Sequence, residues 1–186
     1  TYANTHSNTT NSTIKEKLDA WYDTNIVNTG NEKYIADAIY CNDRSVSSGT
    51  GRGPTVTTYA AQTRIDNGTP TLKCTNNNDK FTKSTTIGNG KLTKMIGLIT
   101  SDEVMYAGGT TSTNEEYYLY SSKNYWTMTP YSFASGDARV YYVHYYGNLY
   151  SYNVTEPNGG VRPVVSLESD AISGGSGTAA SPFLVG

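Results

Sequence analysis

The first clear hydrophobic pattern in the chain is helical and follows a polar start. Residues 1–12 are polar, and we expect them to be poorly ordered at their beginning. Thr13 and Glu16 have the spacing of a capping box, which predicts that a helix starts there. The apolar side chains that would share one face of this helix are Ile14, Leu18, Trp21 and Tyr22.

A second, shorter helix is predicted near the middle of the chain. Thr100 and Glu103 repeat the capping-box spacing, and Gly108-Gly109 is typical of a helix end. Between the two helices, glycine and proline interrupt every apolar run from residue 42 to residue 90. We therefore expect a long irregular segment there, of the kind that commonly carries function or is attached to the core.

Short apolar runs predict β-strands, mostly in the second half of the chain. They cover residues 95–99, 117–120, 125–130, 139–146, 149–154 and 183–185, while residues 34–41 suit a buried strand or a short helix. Two helices followed mainly by strands indicate an α+β fold. A chain of 186 residues suits a single domain, 1–186, with one core.

Two of these runs are predicted to form a β-hairpin around Gly147-Asn148, a pair typical of two-residue hairpin turns. With this pair at the tip, Tyr145 opposes Tyr150 and Val143 opposes Tyr152. Tyrosine then lies on both faces, whereas a half-buried hairpin is apolar on one face and polar on the other. The excess favours a ligand-binding surface. The alternative is cross-strand tyrosine pairing that stabilises the sheet by about 0.2–1 kcal/mol per pair.

Composition adds to the case for binding. Aromatic residues make up 12% of the chain, with 17 Tyr against 3 Phe and 2 Trp. Tyrosine offers apolar area and a hydroxyl at a low cost in conformational entropy, which suits binding surfaces. Charged residues are 16%, the net charge is −2 and no basic block occurs, which disfavours a nucleic-acid partner. No apolar run is long enough to span a bilayer, so we expect no membrane insertion by this segment.

The two cysteines, Cys41 and Cys74, leave two interpretations open. A disulfide between them would stabilise the fold by about 3–4 kcal/mol in the chain-entropy model. The alternative is a pair of buried free thiols. Without histidine pairs nearby, the cysteines do not form a zinc site.

The chain has few residues suited to catalysis or metal binding. Its two histidines, His6 and His144, are not accompanied by a nucleophile signature. The triplet Glu156-Pro157-Asn158 resembles the sugar-binding tripeptide of calcium-dependent C-type lectins, but their second ligand set does not follow it. Since Ca²⁺ needs about six to eight oxygen ligands, the triplet is better explained as a loop containing proline. We expect no enzymatic activity, cofactor or metal.

Several segments along the chain together resemble a known family. The most specific are Tyr125-Trp126-Thr127-Met128-Thr129-Pro130 and Gly159-Gly160-Val161-Arg162-Pro163-Val164. They are similar to bacterial, archaeal and phage surface domains of C-type-lectin-like fold, related to the formylglycine-generating-enzyme type. The resemblance implies two helices and a central twisted antiparallel sheet with long irregular loops. Those enzymes use a cysteine pair near the end of the fold, which this chain does not have there.

Members of this family include the variable proteins of diversity-generating retroelements, in which an error-prone reverse transcriptase mutates adenines. Asn codons of a template then become codons for Tyr, His, Ser, Asp or Thr, among others. Every residue between Tyr141 and Thr155 can arise in this way, and the fixed-looking Val143, Gly147 and Leu149 lie among them. Upstream, Phe133, Ser135 and Asp137 are further candidates. The ligand-binding variable positions implied are Tyr142, His144, Tyr145, Tyr146, Asn148, Tyr150, Ser151, Tyr152, Asn153 and Thr155.

The resemblance also implies roles for residues outside the variable stretch. Trp126, with Tyr125, would pack beneath the site, and Arg162 would satisfy buried carbonyls or a carboxylate near it. Cys41 and Cys74 would be structural. Glu156 cannot arise from an Asn codon by adenine mutation, so the variable stretch is expected to end before it.

The function implied is non-catalytic binding on a cell or virion surface, outside the cell. The partner would be a protein or cell-surface ligand that varies between copies, and attachment to an anchor or pilin-like N-terminal segment is compatible with this role. The first alternative is a surface adhesin module of the same fold that was never diversified. Less favoured are a calcium-dependent lectin and an enzyme of the formylglycine-generating type.

Overall fold

A computed structural model describes residues 8–51, 54–134 and 136–186, and in these ranges the protein is α+β. The expectation of poor order at the very start of the chain, and the positions of His6 and Ser135, concern residues outside these ranges. The α-helices are short: α1 (Thr13–Tyr22), α2 (Ala60–Asp66) and α3 (Ser101–Tyr106). None of the described helices has the length and apolarity needed to cross a membrane.

The strands of the described residues are β1 (Ile35–Ala36), β2 (Tyr40–Cys41), β3 (Val46–Ser48), β4 (Thr57–Tyr59), β5 (Lys80–Phe81), β6 (Tyr125–Ala134), β7 (Asp137–Val143), β8 (Leu149–Asn153), β9 (Ser166–Leu167), β10 (Ile172–Gly174) and β11 (Leu184–Val185). Five of them form the main sheet in the order β3-β4-β6-β7-β8, and each neighbouring pair is antiparallel. The others form the two-stranded antiparallel ladders β1-β9, β2-β5 and β10-β11.

Alternate residues of β6 and β7 contribute to two different hydrophobic clusters. Trp126 and Tyr142 pack with the α1 residues Leu18 and Tyr22. Tyr141, directly beside Tyr142 in sequence, packs in a second cluster with residues of α2 and α3. Since successive side chains of a strand point to opposite faces, the main sheet has a cluster on each face. This arrangement explains why the second half of β7, residues 140–143, is apolar or aromatic without alternation.

The N-cap of helix α1 lies one residue before Thr13, the residue that the predicted capping box places there. Ser12 is the N-cap, and its side chain accepts a hydrogen bond from the backbone N–H of Lys15. The apolar face is narrower than expected: Leu18 and Tyr22 are buried, but Trp21 is 40% exposed. Leu18 and Tyr22 are four residues apart and define the buried stripe, so that Trp21 lies at its margin.

Helix α2 lies in the segment where no helix was expected. Its seven residues give only one buried pair at helical spacing, Ala61 and Ile65, which is too little for a pattern to stand out. Ionic contacts attach the helix to its surroundings. Arg64 donates hydrogen bonds to Asp102 of α3 at 3.0 and 3.1 Å and to Asp43 at 2.8 Å. The position of α2 therefore depends on ionic contacts with residues distant in sequence as well as on its own buried apolar pair.

Helix α3 agrees with its prediction in full. Thr100 is the N-cap, and the reciprocal hydrogen bonds with Glu103 complete a capping box. Ala107 is the C-cap, and Gly108 follows with a φ of 104°. The residues at the two ends of α3 were sufficient to predict the helix, because they satisfy its terminal backbone groups.

The strand predictions are confirmed for the hairpin region and wrong for two other runs. Residues 95–99 form only an isolated bridge, Gly97 to Val164, and residues 117–120 form a turn closed by a hydrogen bond from Tyr120 to Tyr117. The first run is apolar because it is buried, not because it pairs along its length, while in the second Tyr117 is buried and Tyr118 is exposed. In contrast, β6 continues beyond Pro130, with register shifts on both sides of that residue.

A disulfide joins Cys41 to Cys74, with the two Cα atoms 5.8 Å apart. It connects β2 to the irregular segment that follows α2. In the same region Arg44 forms an ion pair with the buried carboxylate of Asp79. The disulfide thus attaches the long irregular segment to β2, and the ion pair joins two parts of the segment to each other.

Candidate functional site

The hairpin formed by β7 and β8 turns through three residues, 145–147. The backbone N–H of Gly147 donates to the carbonyl of His144 at 2.7 Å, and His144 N–H donates to the carbonyl of Asn148 at 2.9 Å. Gly147 has a φ of 78°, a left-handed conformation that favours glycine. A turn followed by a left-handed residue is the usual geometry of a three-residue hairpin loop.

The predicted two-residue turn and its register are therefore wrong. Tyr150 pairs with Tyr142 instead of Tyr145, a shift of three residues. Glycine is needed at the last loop position, so Gly147 marks the end of the loop and not its first residue. An odd shift moves side chains to the opposite face. As a result, Tyr142, Tyr150 and Tyr152 share one face of the hairpin, and Tyr141 lies buried beneath the other.

Backbone contacts hold the hairpin tip in place. Leu149 N–H donates to the carbonyl of Thr110 at 2.8 Å, and Asn114 N–H donates to the carbonyl of Tyr146 at 3.2 Å. Gly147 packs so closely on this segment that an added Cβ would overlap the carbonyl oxygen of Asn114. These contacts use the main chain of the hairpin, so they do not depend on the side chains at its tyrosine positions.

Six aromatic rings on this hairpin form what we call the aromatic surface, and four of them are open to solvent. Tyr145, Tyr146, Tyr150 and Tyr152 are 42%, 47%, 56% and 40% exposed. Tyr142 lies beneath them, with its ring centroid 6.0 Å from Tyr150 and 5.5 Å from Tyr152. The rings of the surface are Tyr142, His144, Tyr145, Tyr146, Tyr150 and Tyr152.

A cavity of about 170 Å³, which we call the hairpin pocket, opens at the edge of the aromatic surface. Glu156 and Asn158 lie on its rim, and Asn158 donates to the Glu156 carboxylate at 2.6 Å. Gly159 lies against the indole of Trp126, where a Cβ would overlap the ring. The side chains that line the pocket are Asn124, Trp126, Tyr142, His144, Tyr152, Glu156 and Asn158.

Burial changes the chemistry of the tyrosine at the base of this pocket. Burial, followed by the neighbouring Tyr152, Tyr150 and Tyr145 and by Glu156, raises the pKa of Tyr142 to about 12. The phenol therefore stays protonated well above neutral pH and can both donate and accept hydrogen bonds.

The predicted variable positions lie in different places on the hairpin. Tyr145, Tyr146, Tyr150 and Tyr152 are exposed on the aromatic surface, to which His144 also belongs, and Asn148 lies beside it. Ser151 and Asn153 lie on the opposite face of β8, because Ser151 pairs with Tyr141 and Asn153 with Arg139. Asn153 also donates to Asp137 at 2.8 Å and accepts from Thr155, so these three residues close the open end of the hairpin.

The structure places two of the predicted variable positions, Phe133 and Tyr142, in buried surroundings. Phe133 packs with Tyr59 and Ala138 in a small core cluster. Tyr142 packs between Trp126 and the exposed tyrosines and is only 4% exposed. The sequence pattern of the hairpin does not predict the burial of Tyr142, because the face to which Tyr142 points depends on the register that the turn sets.

Trp126 and Arg162, for which structural roles were predicted, lie on either side of Asn124. Trp126 is buried beneath the aromatic surface, 5.9 Å from Tyr142 between ring centroids. Arg162 donates to the carbonyl of Leu119 at 2.9 Å, and its guanidinium lies 5.2 Å from the ring centroid of Tyr125. Arg162 also lines a more open cleft of about 620 Å³, formed with residues 120–125 on the far side of Asn124.

Sequence reasoning missed the contribution of Asn124 and undervalued that of Glu156 and Asn158. Asn124 accepts a hydrogen bond from the backbone of Tyr145 at 2.8 Å, a contact that no local pattern signals. Glu156 and Asn158 were noticed only as a possible calcium triplet. Among the described residues, no group of three or more His, Cys, Asp and Glu side chains is arranged to hold a metal ion.

The fold and the site define an α+β domain with an aromatic β-hairpin and an adjoining pocket. The sequence model of a family described as a domain of unknown function, DUF6273, matches residues 66–169. This match covers more than half of the chain and includes α3, β6, β7, β8 and the whole hairpin pocket, and the chain belongs to this family. No curated protein and no solved structure matches the chain.

Proposed function

We propose that the chain is a non-catalytic ligand-binding domain of C-type-lectin-like fold, displayed outside the cell, whose hairpin is diversified by a retroelement. The observation that carries the proposal is the division of the hairpin into a backbone-held framework and four exposed tyrosines. The resemblance of the segments around Trp126 and Arg162 to retroelement variable proteins supplies the biological context.

The framework of the hairpin suits a protein that must fold with many different surface residues. Val143 and Leu149 are buried and paired with each other, and Gly147 is fixed by its backbone conformation. The tip is held through main-chain hydrogen bonds to Thr110 and Asn114. Side chains at exposed positions can therefore change at little cost in stability.

The exposed side chains have the chemistry of a recognition surface. Tyrosine gives a rigid amphipathic contact with only two side-chain torsions, while asparagine and histidine supply hydrogen bonds. The ring pairs are close, with centroids 4.0 Å apart for His144 and Tyr145 and 4.1 Å for Tyr145 and Tyr146. A surface ordered in this way loses less entropy when it binds a partner.

The proposal now names a narrower set of variable positions. Burial removes Tyr142 and Phe133 from the set, and Ser151 and Asn153 face away from the aromatic surface. The variable positions that we propose contact the ligand directly are His144, Tyr145, Tyr146, Asn148, Tyr150 and Tyr152.

The genomic neighbourhood of the coding sequence tests the proposal. We expect a near-repeat of the DNA that encodes the hairpin, differing from it only where the template has adenine, beside a reverse transcriptase gene. A complete genome without this repeat would contradict diversification and would favour an undiversified adhesin module of the same fold.

Calcium titration by calorimetry tests the lectin alternative. We expect no heat of binding from the purified domain, because Glu156 is the only carboxylate among the described residues that line the pocket, and Ca²⁺ needs about six to eight oxygen ligands. Heat of binding that disappears in Glu156→Gln would favour the calcium-dependent lectin instead.

A further inference from the structure

We infer that the hairpin pocket receives an organic cation, an ammonium or guanidinium group, from the molecule that the domain binds. The inference rests on the proposed function, because the pocket adjoins the aromatic surface and would hold one group of the same ligand. It adds the chemical class of that group, which the exposed tyrosines alone do not define.

Aromatic rings form much of the wall of the pocket. Tyr142 lies between Trp126 and Tyr152, with ring centroids 5.9 and 5.5 Å away. The ring planes are inclined at 54° and 82° to one another, and all three side chains line the pocket. Cations bind to such rings because the face of an aromatic ring carries partial negative charge, most strongly in tryptophan.

The charge at the pocket has the sign that a cation requires. Of the residues that the structure describes, Glu156 is the only acidic one that lines the pocket, and no Lys or Arg lines it. One carboxylate oxygen of Glu156 accepts from Asn158, and within the described part of the chain the other has no hydrogen-bond partner. The carboxylate also contributes to the raised pKa of Tyr142, which indicates that its negative potential reaches the base of the pocket.

The neighbouring cleft has the opposite charge. Lys123 and Arg162 line it, and Asn124 borders both the cleft and the pocket. A ligand cation is therefore repelled on one side of Asn124 and attracted on the other. This difference favours the pocket as the place where a cationic group binds.

The size of the pocket limits what can enter. Its volume of about 170 Å³ is below the range of about 300–1,000 Å³ typical of sites for whole small molecules. At about 30 Å³ for each water, it holds roughly six water molecules. This is room for the end of one side chain or for one small cation, while the rest of the ligand would contact the exposed tyrosines.

The experiment is a titration of the whole chain, labelled with ¹⁵N and followed by NMR. The chain has 2 Trp, so the indole N–H signal of Trp126 is assigned by its persistence in Trp21→Phe. The probes are N-acetyl-arginine amide, N-acetyl-lysine amide and tetramethylammonium chloride. Sodium chloride at matched ionic strength and a methyl glucoside are added separately as comparisons.

We expect at least one cationic probe to shift the Trp126 signal in a saturable way, with sodium chloride and the glucoside producing no saturable shift. Glu156→Gln should weaken the binding about tenfold or more. Glu168→Gln removes the same charge at an exposed position outside the pocket and should leave binding unchanged. Stronger binding of the two amides indicates a protein side chain as the natural group, and stronger binding of tetramethylammonium indicates a quaternary ammonium headgroup.

Three results would overturn the inference: no saturable shift with any cation, equal binding by Glu156→Gln and the unaltered chain, or saturable binding of the glucoside alone. The last would make the pocket a saccharide site. None of these results affects the genomic test of diversification, so the cation inference and the proposed function can fail separately.

Discussion

At Gly147 the backbone has a φ of 78°, and an added Cβ would overlap the carbonyl oxygen of Asn114. At Gly68 the φ of 64° is similar, but nothing lies within 4 Å of the added atom. An alanine at Gly68 would introduce backbone strain alone, whereas an alanine at Gly147 would introduce both strain and a steric overlap. The left-handed conformation costs a residue with a Cβ about 1–2 kcal/mol.

We predict that Gly147→Ala lowers the free energy of unfolding clearly more than Gly68→Ala, which should cost about 1–2 kcal/mol. The additional cost at Gly147 arises because the hairpin tip must move away from Asn114. Urea denaturation of both variants measures the difference. Equal losses would show that the contact between the hairpin tip and residues 110–114 contributes little.

The second prediction compares an exposed tyrosine with a buried one. Tyr146→Ser should change the free energy of unfolding by no more than about 0.5 kcal/mol, as is usual for exposed positions. Tyr142→Ser should cost about 3–5 kcal/mol, because it removes a large ring from the core. Chemical denaturation gives both values. A large loss at Tyr146 would contradict the separation of framework and variable positions.

A third prediction concerns alkaline pH. The pKa of Tyr142 is raised from 10.0 to about 12 in the folded protein, chiefly by burial. The folded state therefore holds the proton more tightly than the unfolded state, and the stability it provides is complete below pH 10 and lost as the pH rises towards 12. Tyr142→Phe should make the fall in unfolding free energy over this range less steep. An unchanged slope would exclude Tyr142 as a contributor.

Among the secondary-structure elements, those with a complete local signal agreed with prediction. Helix α3 carries its own N-cap and C-terminal glycine, and β7 and β8 are rich in tyrosine and valine or leucine and are joined by a short turn. Helix α2 was missed because seven residues are too few for a repeating pattern. The hairpin register was missed because loop length decides it, and glycine is compatible with more than one loop length.

The disulfide that holds the irregular segment after α2 is predicted to contribute to the stability of the fold. The Cys41–Cys74 disulfide has a sequence separation of 33, for which the chain-entropy model gives about 3–4 kcal/mol of stabilisation. Paired Cys41→Ser and Cys74→Ser substitutions should lower the free energy of unfolding by about this amount. Denaturation of the double variant, with and without reductant, tests this. Sensitivity of the unaltered chain to reductant, absent in the variant, is the expected control.

For the whole molecule, the sequence located the tyrosine-rich hairpin but not which of its side chains are buried. The tyrosine excess in the hairpin was visible from composition, and the exposed Tyr145, Tyr146, Tyr150 and Tyr152 were all among the residues named. The burial of Tyr142 and Phe133 follows from clusters on both faces of the sheet, which depend on packing partners distant in sequence. The hairpin pocket could not be predicted because Trp126, Tyr152 and Glu156 meet only in the fold.

The central claim is that the exposed positions of the hairpin vary while its framework stays constant. A position-by-position comparison of the coding DNA with a template repeat in the complete genome tests it most directly. We predict adenine-directed differences at the codons of Tyr145, Tyr146, Tyr150 and Tyr152, and none that change Val143, Gly147 or Leu149. Absence of a template repeat, or differences spread equally over exposed and framework codons, would contradict the account.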